Sequence, residues 1–420
     1  MVKLLVIADD FTGALDTGIQ FAKRGIRTQI FTKYKLDQSE VKPDSEILVI
    51  DTESRPMSKT AAYEVVKAAA EWAVSQGISL IFKKTDSALR GNIGSELQAA
   101  VDAALSEPLF FLPGYPEIER ITVGGIQYIQ GELLADSVFG KDPFEPVKQS
   151  YIPDIIQEQS DIPVVCLKND ETIPPHTSRT KGIVVCDTVT PEDIDRRLEE
   201  LIVRDDLKVI AGCAALADRL VDKLDFSRTK VKTYTQTSGM YVACGSLNKI
   251  TQEQVEFAVN KGGFARKHLT IDQKLNSTYY QTPQGKKFLE DILTLCRRNK
   301  RLIVDSFDMD ENKEAFLSSH NISGTDARLL VAQAHGYIVK ALLNQQLDTT
   351  ILMTGGDTLM GYMNVLGCTQ IEPVCEIEQG VVLSRLEWNG FSQQVLSKSG
   401  GFGTPDILCK IAAKIIKENA

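Results

Sequence analysis

The regular exchange of short apolar runs with helix-like stretches is what most limits the fold of this 420-residue chain. Strand-like runs stand at residues 4–8, 47–50, 80–82, 109–112, 182–186 and 208–211. Between them, Leu15, Ile19 and Ala22 recur at helical spacing and stop at Gly25, a residue suited to ending a helix. Val65, Val66, Ala69, Trp72 and Ala73 make a second apolar face, ending at Gly77. A β–α alternation of this kind predicts an α/β fold with mostly parallel sheets flanked by helices.

The chain is too long for a single hydrophobic core. Its pattern lapses at "VKTYTQTSGM", residues 231–240, and a new strand–turn–helix begins at Tyr241. The boundary is therefore expected between domains 1–235 and 236–420, with further strand-like runs at 301–304, 350–353 and 394–396. An active site is expected in the cleft between the two.

Ligands of open α/β sheets bind beyond the carboxyl ends of the strands, so the turns after each strand carry the information. In the first half these are "DDFTG", "DTESR", "KKTDSALRGN" and "PGYPEIER". They hold Asp9, Asp10, Asp51, Glu53, Arg55, Lys83, Lys84, Asp86, Arg90, Glu117, Glu119 and Arg120, which suits a small polar anion. In the second half the turns are "GSLNKIT", "TGGDT" and "SKSGGFG", rich in Gly, Ser and Thr. Glycines between a strand and a helix let backbone N–H groups approach phosphate oxygens. The division resembles that of a small-molecule kinase.

Plainer readings exist for each piece. Asp9 and Asp10 are placed to cap the first helix, although adjacent like charges make two worse than one. Thr251-x-x-Gln254 fits a capping box. The histidines, His176, His268, His320 and His335, fall outside these turns and read as ordinary. Absent are the P-loop, the protein-kinase signature set, the nucleophile elbow and a dinucleotide fingerprint after the first strand.

Composition narrows the class further. Apolar residues make up 43% and charged residues 25%, with a net charge of −9 and no long basic block, which weighs against nucleic-acid or membrane surfaces. No apolar run approaches the ~20 residues of a membrane span, and the first strand leaves no room for a leader, so a cytoplasmic protein is expected. Eight scattered cysteines without C-x-x-C spacing read as buried free thiols rather than zinc ligands.

Taken together, "IADDFTGALDTG", "DTESR", "KKTDSALRGN", "PGYPEIER…GG", "GSLNKITQEQ", "TGGDT" and "KSGGFGTPDIL" resemble, in order and spacing, the four-carbon acid sugar kinase family over nearly the full chain. The resemblance implies a sugar-acid-binding N-terminal domain and a nucleotide-binding C-terminal domain. It implies ATP-dependent phosphorylation of the terminal hydroxyl of D-threonate or D-erythronate, with a 2- or 3-oxo-tetronate as the alternative. By matching motif, Ser246, Gly355, Gly356, Asp357, Thr358 and Gly400 or Gly401 would contact ATP. Asp9, Asp10, Arg55, Lys84, Asp86 and Arg90 would line the acid side. Mg²⁺ would bridge the β- and γ-phosphates, held largely by the nucleotide and water with Asp357 as an option, and Asp9, Asp10 or Asp86 would take the hydroxyl proton. Arg55, Lys84 and Arg90 would bind substrate. The partners expected are the sugar acid and ATP, without nucleic acid or membrane, with a homo-oligomer as an option.

The chain departs from the family pattern twice. Glu119 stands where Gly is usual before Arg120, and Leu247-Asn248 replaces a common small pair after Ser246. Two rivals are a non-catalytic sugar-acid sensor and an NAD-dependent dehydrogenase. The first leaves the glycine-rich turns unexplained and the second lacks its fingerprint.

Overall fold

The computed structural model describes residues 1–104, 108–142, 145–174, 181–246, 248–307 and 313–417. Leu247 and His176 lie outside the described residues. The chain forms two compact units, Met1–Val231 and Lys232–Ala420.

The first unit contains β1 (Leu4–Ala8), β2 (Thr28–Phe31), β3 (Ile47–Asp51), β4 (Leu80–Lys84), β5 (Leu109–Leu112), β6 (Arg120–Val123), β7 (Ile126–Ile129), β8 (Glu132–Leu133), β9 (Val164–Leu167), β10 (Ile183–Cys186) and β11 (Val209–Gly212). Its main sheet runs β2-β3-β1-β4-β11-β5-β10-β9, and every pairing is parallel. Leu5, Ile7, Leu48, Ile50, Ile81 and Phe111 are buried in one core cluster. Each such side chain stabilises the fold by about 1.5–3 kcal/mol relative to exposure. Strands covered on both faces need continuous apolar runs, which is why these segments do not alternate.

After β3 the chain crosses over β1 to lay down β4, so the order reverses between them and opens a crevice at their carboxyl ends. The first helix, Phe11–Ala22, starts directly there, and Asp10 is its cap. A separate antiparallel sheet, β6-β7-β8, stands apart from the main one. Its Gly124-Gly125 turn has positive φ at both residues, and their N–H groups donate to Asp187 at 2.7 and 2.9 Å.

The second unit contains β12 (Gly239–Cys244), β13 (Ala265–His268), β14 (Arg301–Asp305), β15 (Thr349–Thr354), β16 (Gln370–Glu378), β17 (Val381–Trp388) and β18 (Phe391–Lys398). The order β13-β14-β12-β15-β18-β17-β16 is parallel as far as β18. The last three strands form an antiparallel meander. Its β17–β18 turn is Asn389-Gly390, with φ of 47° and 79°. Two positive φ values in a two-residue loop are what an Asn-Gly hairpin turn supplies. Among the described residues no helix is long and apolar enough to cross a membrane.

Candidate functional site

Ala8, Asp51, Lys84 and Gly212 lie abreast at the carboxyl edge of the first unit's sheet. Just beyond Ala8, Asp9 is 2% exposed. Arg55 reaches in from the turn after β3 and donates from Nε to Asp9 Oδ2 at 2.7 Å. Its Nη2 lies 2.9 Å from Asp10 Oδ1 and 3.9 Å from Asp86 Oδ1. Asp86 in turn receives Arg90 through Nε at 2.7 Å and Nη2 at 3.2 Å. Lys84 Nζ donates to the Thr85 carbonyl, and a Cβ on Gly13 would fall 2.8 Å from that nitrogen. Asp9, Asp10, Arg55, Lys84, Asp86 and Arg90 are thus brought into one network.

The three carboxylates differ in what they leave free. Asp10 Oδ1 accepts the Gly13 N–H at 2.9 Å, so the plain capping reading holds for this one. Asp86 pays for burial, yet Arg90 and Arg55 hold its carboxyl far below the usual carboxylate range. Burial also raises Asp9, but Arg55, Lys84 and Lys83 outweigh it and keep the group lowered. Its Oδ1 is buried with no hydrogen-bond partner among the described residues. An oxygen in that condition is costly without a donor.

Beneath the network lies a supporting layer. Lys83 is not at the ligand face; it is fully buried and pairs with Glu96 at 2.8 Å. Ser54 Oγ donates to Glu96 Oε1 at 2.5 Å, and Asn92 Nδ2 donates to the carbonyls of Ser54 and Met57 at 2.9 and 2.8 Å. The turn carrying Arg55 is therefore fastened from the helix Ile93–Ala103. Glu53, Leu89 and Glu119, one in each of three strand-end turns, have positive φ of 48°, 55° and 57°. Non-glycine residues held there store local strain, which gathers at functional sites.

Two residues of this edge were not singled out from sequence as site residues. Arg120 donates from Nη1 to Ser87 Oγ at 2.5 Å and lies over the Phe139 ring at 4.8 Å. No carboxylate among the described residues is within ion-pair reach of it, and burial lowers its pKa. Asp51 is 1% exposed, with Oδ2 unpartnered among the described residues; burial, then Glu53, push it well above the ordinary value. Glu117 and Glu119, charged in the same turn, are exposed and stand outside the network.

In the second unit His268, Asp305, Cys244, Thr354 and Lys398 line up across the carboxyl edge. The turns beyond them crowd together. A Cβ on Gly245 would fall 2.3 Å from Thr358 Oγ1, and one on Gly400 would fall 2.5 Å from Ser246 Oγ. Gly355 has φ of 91° and starts the helix Gly356–Leu366, whose first N–H groups are free of intrahelical partners. Ser246, Gly355, Gly356 and Gly400 are thereby gathered in one cradle. Gly401 is more open, with only Asn248 at 4.0 Å. Thr358 Oγ1 donates back to the Thr354 carbonyl at 2.9 Å. Asp357 pairs with Arg328 at 2.8 Å on the surface.

Thr251 and Gln254 are not a capping box. Asn248 caps the helix Lys249–Lys261, accepting from Ile250 N–H at 2.9 Å. Thr251 Oγ1 instead donates to the Gly400 carbonyl at 2.8 Å, and Gln254 Nε2 to those of Phe402 and Gly403, both at 2.9 Å. The pair holds the last glycine-rich turn in place. Among the described residues no three His, Cys, Asp or Glu side chains gather as a metal cage.

A polar, charged strand edge in one unit and a glycine cradle in the other define a two-unit α/β protein of the small-molecule kinase type. Residues 4–220 match the family model of a sugar-binding N-terminal domain, and residues 241–408 that of a nucleotide-binding C-terminal domain. The chain belongs to the four-carbon acid sugar kinase family. It is 27% identical to the D-threonate kinase of Salmonella typhimurium, over 97% of both chains. It is 26% identical to the D-erythronate kinase of Heliobacterium modesticaldum, over 97% of this chain and 96% of that one. It is 25% identical to the 3-oxo-tetronate kinase of Pseudomonas fluorescens, again over 97% and 96%. A solved Salmonella typhimurium structure, provisionally called a tRNA synthase, superposes with a TM-score of 0.81 at 20% identity, covering 99% of this chain and all of that one. At that identity it bears on the fold alone.

Proposed function

We propose that the protein is an ATP-dependent kinase that phosphorylates the terminal hydroxyl of a four-carbon sugar acid, with D-threonate or D-erythronate as the preferred substrate. The acid would be bound by the Met1–Val231 unit and the nucleotide by the Lys232–Ala420 unit. The observation that carries the acid site is the mismatch left in its network: among the described residues Asp9 Oδ1 lacks a donor and Arg120 lacks a carboxylate. A hydroxy acid supplies both. Its carboxylate suits the fork of Arg120 together with Lys84. Its hydroxyl suits Asp9.

Phosphoryl transfer asks the protein chiefly for positioning and charge neutralisation. Asp86, engaged by Arg90 on both oxygens, would position rather than accept the proton. Asp9 keeps one oxygen for that role, with Arg55 fixing its orientation. ATP supplies the phosphoryl group, its phosphates meeting the N–H groups around Gly355 and Gly356. Mg²⁺ would be held by those phosphates and water; Asp357, in the first turn of the helix Gly356–Leu366, would fit as a single ligand in exchange for Arg328.

The test is an ADP-release assay of the full chain against D-threonate, L-threonate, D-erythronate and the 2- and 3-oxo-tetronates. Turnover with D-threonate or D-erythronate above the others is the expected result. A preference for an oxo acid would move the substrate to the alternative. No ADP release with any of them would overturn the activity.

A further inference from the structure

We propose that Lys398 is the cation that binds the nucleotide's phosphate chain, set directly beneath the glycine cradle. The inference rests on the nucleotide reading of this unit and adds a residue to it. Lys398 ends β18, abreast of Thr354, and is 2% exposed. Its Nζ donates to the carbonyl of Ser399, the residue before Gly400, at 2.7 Å. An ammonium has three protons to give. Among the described residues no carboxylate is in ion-pair reach of the other two.

Two other buried lysines, Lys83 and Lys84, are placed differently. Lys83 has Glu96, and Lys84 stands among Asp9 and Asp86, whose pKa values it lowers. Among the described residues Lys398 has neither arrangement; the ionisable group that acts on it is the Cys244 thiol, itself pushed up to about 12 by burial and so uncharged. Burial brings the amine down to about 8, which leaves it mostly protonated at neutral pH. Taking a lysine out of water without a counter-ion is unfavourable, and a sequence that keeps one there has a use for the charge.

The surroundings say which anion. Gly355 N–H donates to the Lys398 carbonyl at 2.9 Å, so the lysine and the start of the helix Gly356–Leu366 are fastened together. Thr354 Oγ1, on the adjoining strand, is buried beside the Cys244 thiol. Thr251 and Gln254 fix the turn that follows Lys398. An ammonium, a hydroxyl and a run of free N–H groups converge on one short stretch of turn, and a polyphosphate matches them. The adenosine end needs none of these.

Lys398→Met keeps the length and removes the charge. In the full chain, ADP affinity by calorimetry should fall about 10- to 100-fold, the loss of one charge-assisted contact. Any melting shift given by adenosine should stay unchanged. ADP affinity within about threefold of wild type in Lys398→Met would overturn the inference while leaving the nucleotide reading intact. A wild-type chain that binds neither ADP nor ATP would overturn both. Should the variant fail to fold, the wild-type chain answers by labelling. Pyridoxal phosphate followed by borohydride should modify Lys398, and ADP should protect it. Labelling elsewhere, or no protection, counts against the proposal.

Discussion

Arg55 donates to Asp9 at 2.7 Å across 46 residues of chain, joining the turn after β3 to the end of β1. The same guanidinium reaches Asp10 at 2.9 Å, yet the neighbours are not equivalent. Asp10 caps a helix; Asp9 keeps a buried oxygen with no partner among the described residues. Asp9→Asn should therefore lower kcat by about 10²- to 10⁴-fold, the usual worth of a positioned base. Asp10→Asn retains the cap and should change kcat far less, while Asp10→Ala should cost about 1 kcal/mol of stability. Steady-state rates and melting curves of the three variants check this. Equal kcat losses in Asp9→Asn and Asp10→Asn would contradict the division of labour.

The Lys83–Glu96 pair, with side chains 0% and 1% exposed, makes a prediction about stability. Removing one partner strands a buried charge. Lys83→Met or Glu96→Leu alone should each cost roughly 3–5 kcal/mol. The double variant should recover most of that loss, since an apolar pair of similar volume avoids the desolvation of both ions. Urea unfolding of all four proteins gives the coupling. Singles that simply add in the double would argue against the pair as a unit.

The reason so much of this was visible in the sequence is that buried parallel strands are written as continuous apolar runs. Residues 4–8 and 109–112 coincide with β1 and β5, and the polar residues that follow them are where the chain leaves the core. The antiparallel meander was less visible. β16–β18 have one half-exposed face and mix polar with apolar residues, although Asn389-Gly390 is a hairpin signal that could have found them. In the site, the network among Asp9, Arg55 and Asp86 follows from charged turns at adjacent strand ends. Arg120 and Lys398 were not singled out because their distinction is the lack of a carboxylate neighbour among the described residues. That is a property of three-dimensional surroundings, and residue spacing does not carry it.

Glu119 occupies a left-handed turn directly before Arg120. Its φ of 57° and ψ of 37° are left-handed, and the Glu side chain is exposed. Left-handed backbone costs a non-glycine residue roughly 1–2 kcal/mol, and glycine's greater freedom in the unfolded chain returns part of any gain from replacing it. Glu119→Gly should thus be stabilising by about 0.5 kcal/mol, whereas a β-branched Glu119→Val should cost more than about 1 kcal/mol. Melting temperatures settle the order. A Val variant as stable as the Gly variant would contradict the left-handed turn.

His335 is fully buried, and burial brings its pKa down to about 4, with Asp305 pulling the other way. In the unfolded chain a histidine titrates near ~6.5. Between these values the unfolded state binds a proton that the folded state does not, so the unfolded state gains as pH falls. The neutral imidazole therefore contributes no instability above about pH 6.5, and stability drains away from there down to about pH 4. The full effect is on the order of 3 kcal/mol, at about 1.4 kcal/mol per unit of pKa difference. His335→Leu should remove this limb of the stability profile, leaving a flatter dependence over the same window. Urea midpoints at a series of pH values for wild type and variant measure it, and parallel profiles for the two proteins would show that His335 titrates alike in both states.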